Sequence, residues 1–357
     1  MRRVFFLLCL LAGSAKAQTW TGGSSSDWDT GSNWSTGVVP NSATAATIFG
    51  AAPTTGVTFS AARTDVGTLT FNPGAPAYSF TANSGNVFTL NALGVVNNTT
   101  ATPSFIANGG VITLFANAGA GNAQFSASNG GAVDFSNNAS AGTAALSAGT
   151  ESFVSFFNSS TAASAVITTN GGTIGFNDTS TAGNATLMAT GAGGSVTFFN
   201  GATAGNAAIT VGSGSSVFFQ GSSSGGNATI TVNAGGALVI NGLTAGGVSV
   251  GSVDGAGNVF LGSKTLTIGG NGRNTTISGV VTDSGLGGTL IKIGDGTLVL
   301  DGAPDFVRSV VVNGGTLEIG DAGNPGTALT GVVFVNPGGT LSGHGASRPR
   351  WDPRLRL

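Results

Sequence analysis

The chain has 357 residues, 62 of them Gly, with 7% charged side chains and a formal net charge of −2, whereas an ordinary globular domain carries about 25% charged residues and about 7% Gly. Residues 64–263 contain no Lys or Arg and, on the acidic side, only Asp65, Asp134, Glu151, Asp178 and Asp254. This argues against nucleic acid or an anionic membrane surface as partner, because both need several cations along one surface. Large apolar side chains are thin and evenly spread, which excludes a thick central core but allows a narrow one running along a repeat architecture.

Residues 1–17, MRRVFFLLCLLAGSAKA, read as a secretory signal peptide. Arg2 and Arg3 form the basic start, residues 4–12 the apolar stretch, and Ala15-Lys16-Ala17 the small-residue cleavage site. A buried first strand is the alternative. Cys9 lies in the segment to be removed, so the mature chain has no disulfide framework, thiol nucleophile or Cys-based metal site. No other run of about 18 apolar residues occurs, and no transmembrane segment is expected. Residues 18–60 hold Trp20, Trp28 and Trp34. The first coil of a solenoid has an unpaired edge that must be covered, so this segment is predicted to be an N-terminal cap. An aromatic site that stacks on carbohydrate is the functional alternative.

From residue 61 to residue 286 the chain repeats itself. A small-residue turn recurs around Asn122, Thr143, Ser164, Asn184, Asn206 and Asn227, at intervals of 20 to 22 residues. A second landmark keeps the same spacing: Val133-Asp-Phe135, Val154-Ser-Phe156, Ile174-Gly-Phe176, Val196-Thr-Phe198, Val217-Phe-Phe219 and Leu238-Val-Ile240. Within each unit apolar residues alternate with small polar ones, as in a strand with one buried face, and Gly and Asn separate the runs as turn formers. About 21 residues suit one coil of a parallel β-helix, with coils stacking about 4.8 Å apart. Equivalent residues should then lie in columns: Phe135, Phe156, Phe176, Phe198 and Phe219 inside, and Asn184, Asn206 and Asn227 at a turn, where aromatic and Asn ladders stabilise regular stacks. An evenly spaced β-sandwich is the alternative.

At residues 287–345 the wording changes to GGTLIKIGDGTLVLDGA and then VVVNGGTLEIGDAGNPGTALTGVVFVNPGGTLSGHG. This stretch resembles the autotransporter-associated β-strand repeat. Gly287, Gly288, Leu290, Lys292, Gly294, Gly296, Thr297, Leu298 and Leu300 match its first run, and Val312, Asn313, Gly315, Thr316, Leu317 and Gly320 its second. The opening TWTG…DW…SNW…VPNS is similar to the start of proteins in that family. The resemblance implies a passenger region: a right-handed β-helix displayed or released outside a Gram-negative-type cell, usually carried there by a C-terminal membrane β-barrel. The strand pattern of such a barrel does not follow residue 345. Residues 346–357 form instead a basic tail with four Arg, which reads as a frameshift or early end of the repeat, or else as a short tail of unknown use. The expected location is the cell surface or medium if the full-length product has a barrel, and the periplasm if it is truncated.

Signs of catalysis are sparse. Glycoside hydrolysis commonly needs two carboxyl groups about 5–10 Å apart, but Asp134, Glu151 and Asp178 fall in different coils at different phases, with no basic residue nearby to take a proton. Asp295, Asp301, Asp305 and Asp321 form a denser acidic group with Lys292 and Arg308. Ca²⁺ is conceivable there, although Asp295 and Asp301 sit in GDG and LDG turns, where Asp bonds its own backbone. His344 is the single histidine, too few for a Ser-His-Asp set or a His-based metal site. The expectation is one elongated right-handed parallel β-helix of on the order of fifteen coils, roughly 70 Å long. No catalytic, cofactor or metal residues are expected, and its role is non-enzymatic contact with a surface glycan or matrix. A carbohydrate-active β-helix enzyme, or a truncated remnant without independent function, is the alternative.

Overall fold

The computed structural model describes residues 17–302, 304–305, 309–324, 327–329, 331–344 and 346–347. The signal-peptide reading, apart from Ala17, lies outside the described residues, as do Cys9, Arg308 and residues 348–357 of the basic tail. The chain is an all-β parallel solenoid of about 14 turns, with coils about 21 residues apart. Every pairing between its named strands is parallel, so successive coils climb a common axis rather than folding back as a sandwich would.

One coil shows how the sequence produces this. Thr186–Thr190 (TLMAT) alternates exposed and buried residues, burying Leu187 and Ala189 and leaving Met188 outside. A Gly-rich corner turns the chain into Ser195–Phe198, which buries Val196 and Phe198. A second corner leads to Thr203, which makes a single parallel bridge to Thr181 below and Ser224 above. A third leads to Ala208–Val211, the next rung over Thr186–Thr190. Each coil therefore has two strands and one bridging residue.

Stacked, these give a first sheet of 13 strands from Gln18–Thr19 to Val281–Thr282 and a second of 10 strands from Gly56–Thr58 to Ser252–Asp254. The third side is a column of bridges through Gly94, Gly119, Ser140, Thr161, Thr181, Thr203 and Ser224. From Gly247–Val250 onward it widens into a true five-stranded sheet. The second side continues beyond Gly255, bridged to Ile277, as the four strands that end at Gly339–Gly343. Residues 18–60 both close the end and supply rungs: Ala46–Phe49 pairs with Arg63–Phe71 in the first sheet, and Gly56–Thr58 with Ser79–Asn83 in the second.

The corners depend on left-handed backbone. After each Phe of the first sheet, Asn137, Asn158, Asp178, Asn200 and Gly221 adopt φ of 60°, 55°, 57°, 54° and 61°, a conformation that Asn, Asp and Gly tolerate best. The next corner has a second such column, almost all Gly. At Gly183 (φ 61°) an added Cβ would lie 2.9 Å from the carbonyl oxygen of Ala163 in the coil below, too close for any side chain.

Candidate functional site

The interior is a filled column, not a pore. Phe135, Phe156, Phe176, Phe198 and Phe219 are fully buried and stack with ring centroids 4.7, 4.7, 4.9 and 5.0 Å apart and planes within 7–11° of parallel. A second ladder, Phe80, Phe105 and Phe125, lies on the other sheet at 4.9 and 4.7 Å. It ends where the first begins, with Phe125 edge-on to Phe135. Beyond that point Leu146, Ile167, Leu187 and Ile209 take over on the second sheet. At the turn, Asn206 Nδ2 donates to Asn184 Oδ1 (3.1 Å). Asn227 joins the column through its backbone N–H, which donates to the Gly205 carbonyl.

Trp20, Trp28 and Trp34 form the plug of the N-terminal end. They are 1%, 0% and 3% exposed and pack edge to face at 4.5–5.2 Å. Their indole N–H groups donate to the carbonyls of Thr54, Pro40 and Trp28. With both faces buried, none of these rings offers a surface to a sugar.

The outside of the first sheet is one face open to contact, and there every second residue points to solvent. There Arg63, Asp65, Thr89, Thr113, Phe115 and Asp134, with Ser42 and Ala43 as one wall, line a groove of about 520 Å³. Arg63 grips Asp65 through two bonds of 2.8 and 2.9 Å. The Arg63 bond holds the Asp65 carboxyl below its usual range, and Asp65 raises Arg63 in return. Asp134 has no such partner. Burial pushes its pKa up to about 6, with the Ser155 hydroxyl opposing the shift.

These carboxylates do not form a catalytic pair. Asp65, Thr89, Thr113 and Asp134 are successive register partners, which puts the two acids roughly 14 Å apart at about 4.8 Å per rung, beyond the usual range for glycoside hydrolysis. Asp178 occupies a corner where its carboxylate accepts the Asn158 N–H (2.9 Å), and Glu151 a left-handed turn (φ 59°).

The C-terminal acidic group is likewise built into turns. Asp321 accepts N–H bonds from Gly323 and Asn324 at 2.7 and 2.9 Å, Asp301 accepts the Asp321 N–H at 3.3 Å, and Asp305 bridges Thr282 by backbone. Among the described residues no three His, Cys, Asp or Glu side chains come together as a metal-binding group. His344 Nδ1 lies 4.0 Å from Glu318 on the surface.

Lys292, grouped by the sequence with these acids, points inward instead. It is 1% exposed, stands between Ile268 and Val312 in register, and its Nζ donates to the carbonyls of Ile293, Gly294 and Gly314 at 2.8–3.1 Å. Burial lowers its pKa, and Asp295 partly opposes this. Its phase two residues after the buried Leu290 was the signal for this position.

The adhesin BmaC autotransporter of Brucella suis biovar 1 (strain 1330) is 38% identical over 81 residues. The match is to an autotransporter. It covers 22% of this chain and 2% of that protein, so the chain spans a small part of its relative. No family model and no solved structure matches the chain. The solenoid and the partial match together fit an autotransporter passenger region. No helix among the described residues is long and apolar enough to cross a membrane.

Proposed function

We propose that the chain is a non-enzymatic, extracytoplasmic β-helical passenger that presents a long, weakly charged face for contact with a surface. The observation that carries this reading is the first sheet's outer side, which exposes Phe115, Phe153 and Phe199 over several coils, with few ionisable groups near them: Arg63, Asp65 and Asp134 in the groove at one end and Asp178 at a corner. The similarity to a protein named as an adhesin supports both the location and the contact role, while fold alone would leave function open. The enzyme reading has less support, because the Asp65 to Asp134 separation suits neither a retaining nor an inverting pair.

The test uses cells that produce the complete gene product. An antibody to the central coils should label intact cells or the medium, and cells lacking the gene should adhere less to a coated surface. Labelling confined to the cytoplasm of lysed cells, or release of reducing sugar from a polysaccharide by the purified chain, would refute the reading.

A further inference from the structure

We propose that the outer face of the first sheet binds a neutral, β-linked polysaccharide laid lengthwise along the solenoid axis. This inference rests on the contact role above and gives it a ligand class. It starts from one outward column, at the residue following each buried Leu or Phe that ends a strand. From coil to coil that column reads Phe115, Ser136, Phe157, Asn177, Phe199, Gln220. Each of these donates its backbone N–H to the coil below, to Leu90, Leu114, Phe135, Phe156, Phe176 and Phe198 in turn, which fixes them as one ladder. Phe occupies every second rung, 42 residues apart both times. Phe115 and Phe199 are 42% and 41% exposed, and Phe157 is half-buried.

The core does not require these rings. The buried volume is already supplied by the inward ladder one residue earlier, and on the second sheet the equivalent column, the residue after the last buried one, reads Ser128, Gly149, Asn170, Thr190, Gly212 and Asn233, without any Phe. Two rungs span about 9.6 Å at ~4.8 Å each. In an extended β-1,4-linked glycan each sugar is turned by a half rotation from the last, so the same apolar ring face recurs at every second residue, a repeat close to two rungs. Rings at that spacing can each take one sugar face, because aromatic faces bury flat apolar surface well. The intervening Ser136, Asn177 and Gln220 offer the hydroxyl and amide groups that bond sugar hydroxyls. Charge selects further: with no Lys or Arg in residues 64–263, a polyanionic chain finds no counter-charge along the ladder. The groove beside Phe115 continues the same line toward the N-terminal end.

The experiment measures retention of the full chain on insoluble β-1,4-glucan and on a β-1,4-linked N-acetylglucosamine polymer, with an α-1,4-glucan and a sulfated polysaccharide as comparisons. Retention is expected on at least one β-linked neutral polymer and on neither comparison. Each of Phe115→Ser, Phe157→Ser and Phe199→Ser should weaken it roughly fivefold, and the triple variant should abolish it with an unchanged melting temperature. The exchange Phe157→Asn with Asn177→Phe keeps the number of rings but breaks their period, and should bind no better than Phe157→Asn alone. The proposal is overturned by absence of retention on both β-linked polymers, by equal retention on the sulfated chain, by an exchange variant that binds like the wild type, or by a ring-dependent dimer in sedimentation that marks this face as a self-contact. Antibody labelling of intact cells scores the passenger reading separately, so failure of one can be told from failure of the other.

Discussion

The first sheet carries phenylalanine on both sides, and the two ladders differ in period. Inside, Phe135, Phe156, Phe176, Phe198 and Phe219 recur at every coil; outside, in the column that follows each strand, Phe115, Phe157 and Phe199 recur at every second, while Phe153 and Phe218 stand in other outward columns of the same face. The inner period is imposed by packing. Each coil must fill the same cross-section: where the first sheet supplies Leu90 or Leu114 the second supplies Phe80 or Phe105, and Phe125 meets Phe135 in the coil where the ladders change over. The outer period is not imposed by the core, since those rings are only half-buried and lie outside the inward column. A side chain that the fold demands is thus distinguished from one that the fold merely permits, and substitutions can measure the difference.

The sharpest contrast comes from two adjacent residues. Phe198→Asp places a carboxylate in the dry column and should cost several kcal/mol in a denaturant titration, enough to threaten folding. Phe199→Asp, one residue on, should cost much less, about 1 kcal/mol. Similar losses at both positions would mean that the outer rings are core after all. The next largest effect tests the inner face elsewhere. Lys292→Met keeps the apolar stem but leaves the carbonyls of Ile293, Gly294 and Gly314 without their donor, and should lower stability by about 1–3 kcal/mol.

Asp134 blurs the comparison, because it is outward in register yet substantially desolvated. Its folded pKa of about 6 lies above the unfolded value of about 3.9, so the folded state binds more protons between them. Stability from this residue is therefore highest at acid pH, falls as pH rises from about 4 to 6, and stays low above that. Asp134→Asn should flatten this slope and raise stability at pH 7 by about 1–2 kcal/mol. Melting curves of both forms at pH 4 and pH 7 decide it: an equal change in the two would show that Asp134 is well solvated.

Much of this was legible beforehand, and the gaps have physical reasons. The coil spacing could be read because parallel in-register stacking turns equivalent positions into a constant sequence interval, as at Val133, Val154 and Ile174. The third side could not, because it consists of one bridging residue per coil, such as Thr181 or Thr203, with no alternation to mark it. The Phe80, Phe105 and Phe125 ladder lies where intervals are still uneven, 25 and then 20 residues, next to the long strands Arg63–Phe71 and Val87–Asn97 whose register shifts between Val66 and Thr68. The outer ladder is invisible at the one-coil interval because its period is two coils. Lys292 was grouped by its charge, although its strand phase pointed inward.

The smallest effect lies at the corner that joins the faces. In the second left-handed column, Gly121, Gly142, Gly183, Gly205 and Gly226 have φ between 55° and 61°, but Ala163 occupies the same position at φ 51°. Its N–H is held by the Thr161 hydroxyl at 3.0 Å, and its carbonyl accepts the Asn184 N–H at 2.7 Å, so the coil keeps the corner despite the side chain. A left-handed alanine costs roughly 1–2 kcal/mol, while glycine adds back unfolded-chain entropy worth about 0.4–1 kcal/mol. Ala163→Gly should therefore stabilise the chain by about 0.5–1 kcal/mol, the opposite sign to a typical Ala-to-Gly change in a strand. A loss of stability in the same titration would mean that the methyl group of Ala163 contributes packing that outweighs its backbone strain, and the corners would then belong with the inner face rather than with the permissive outer one.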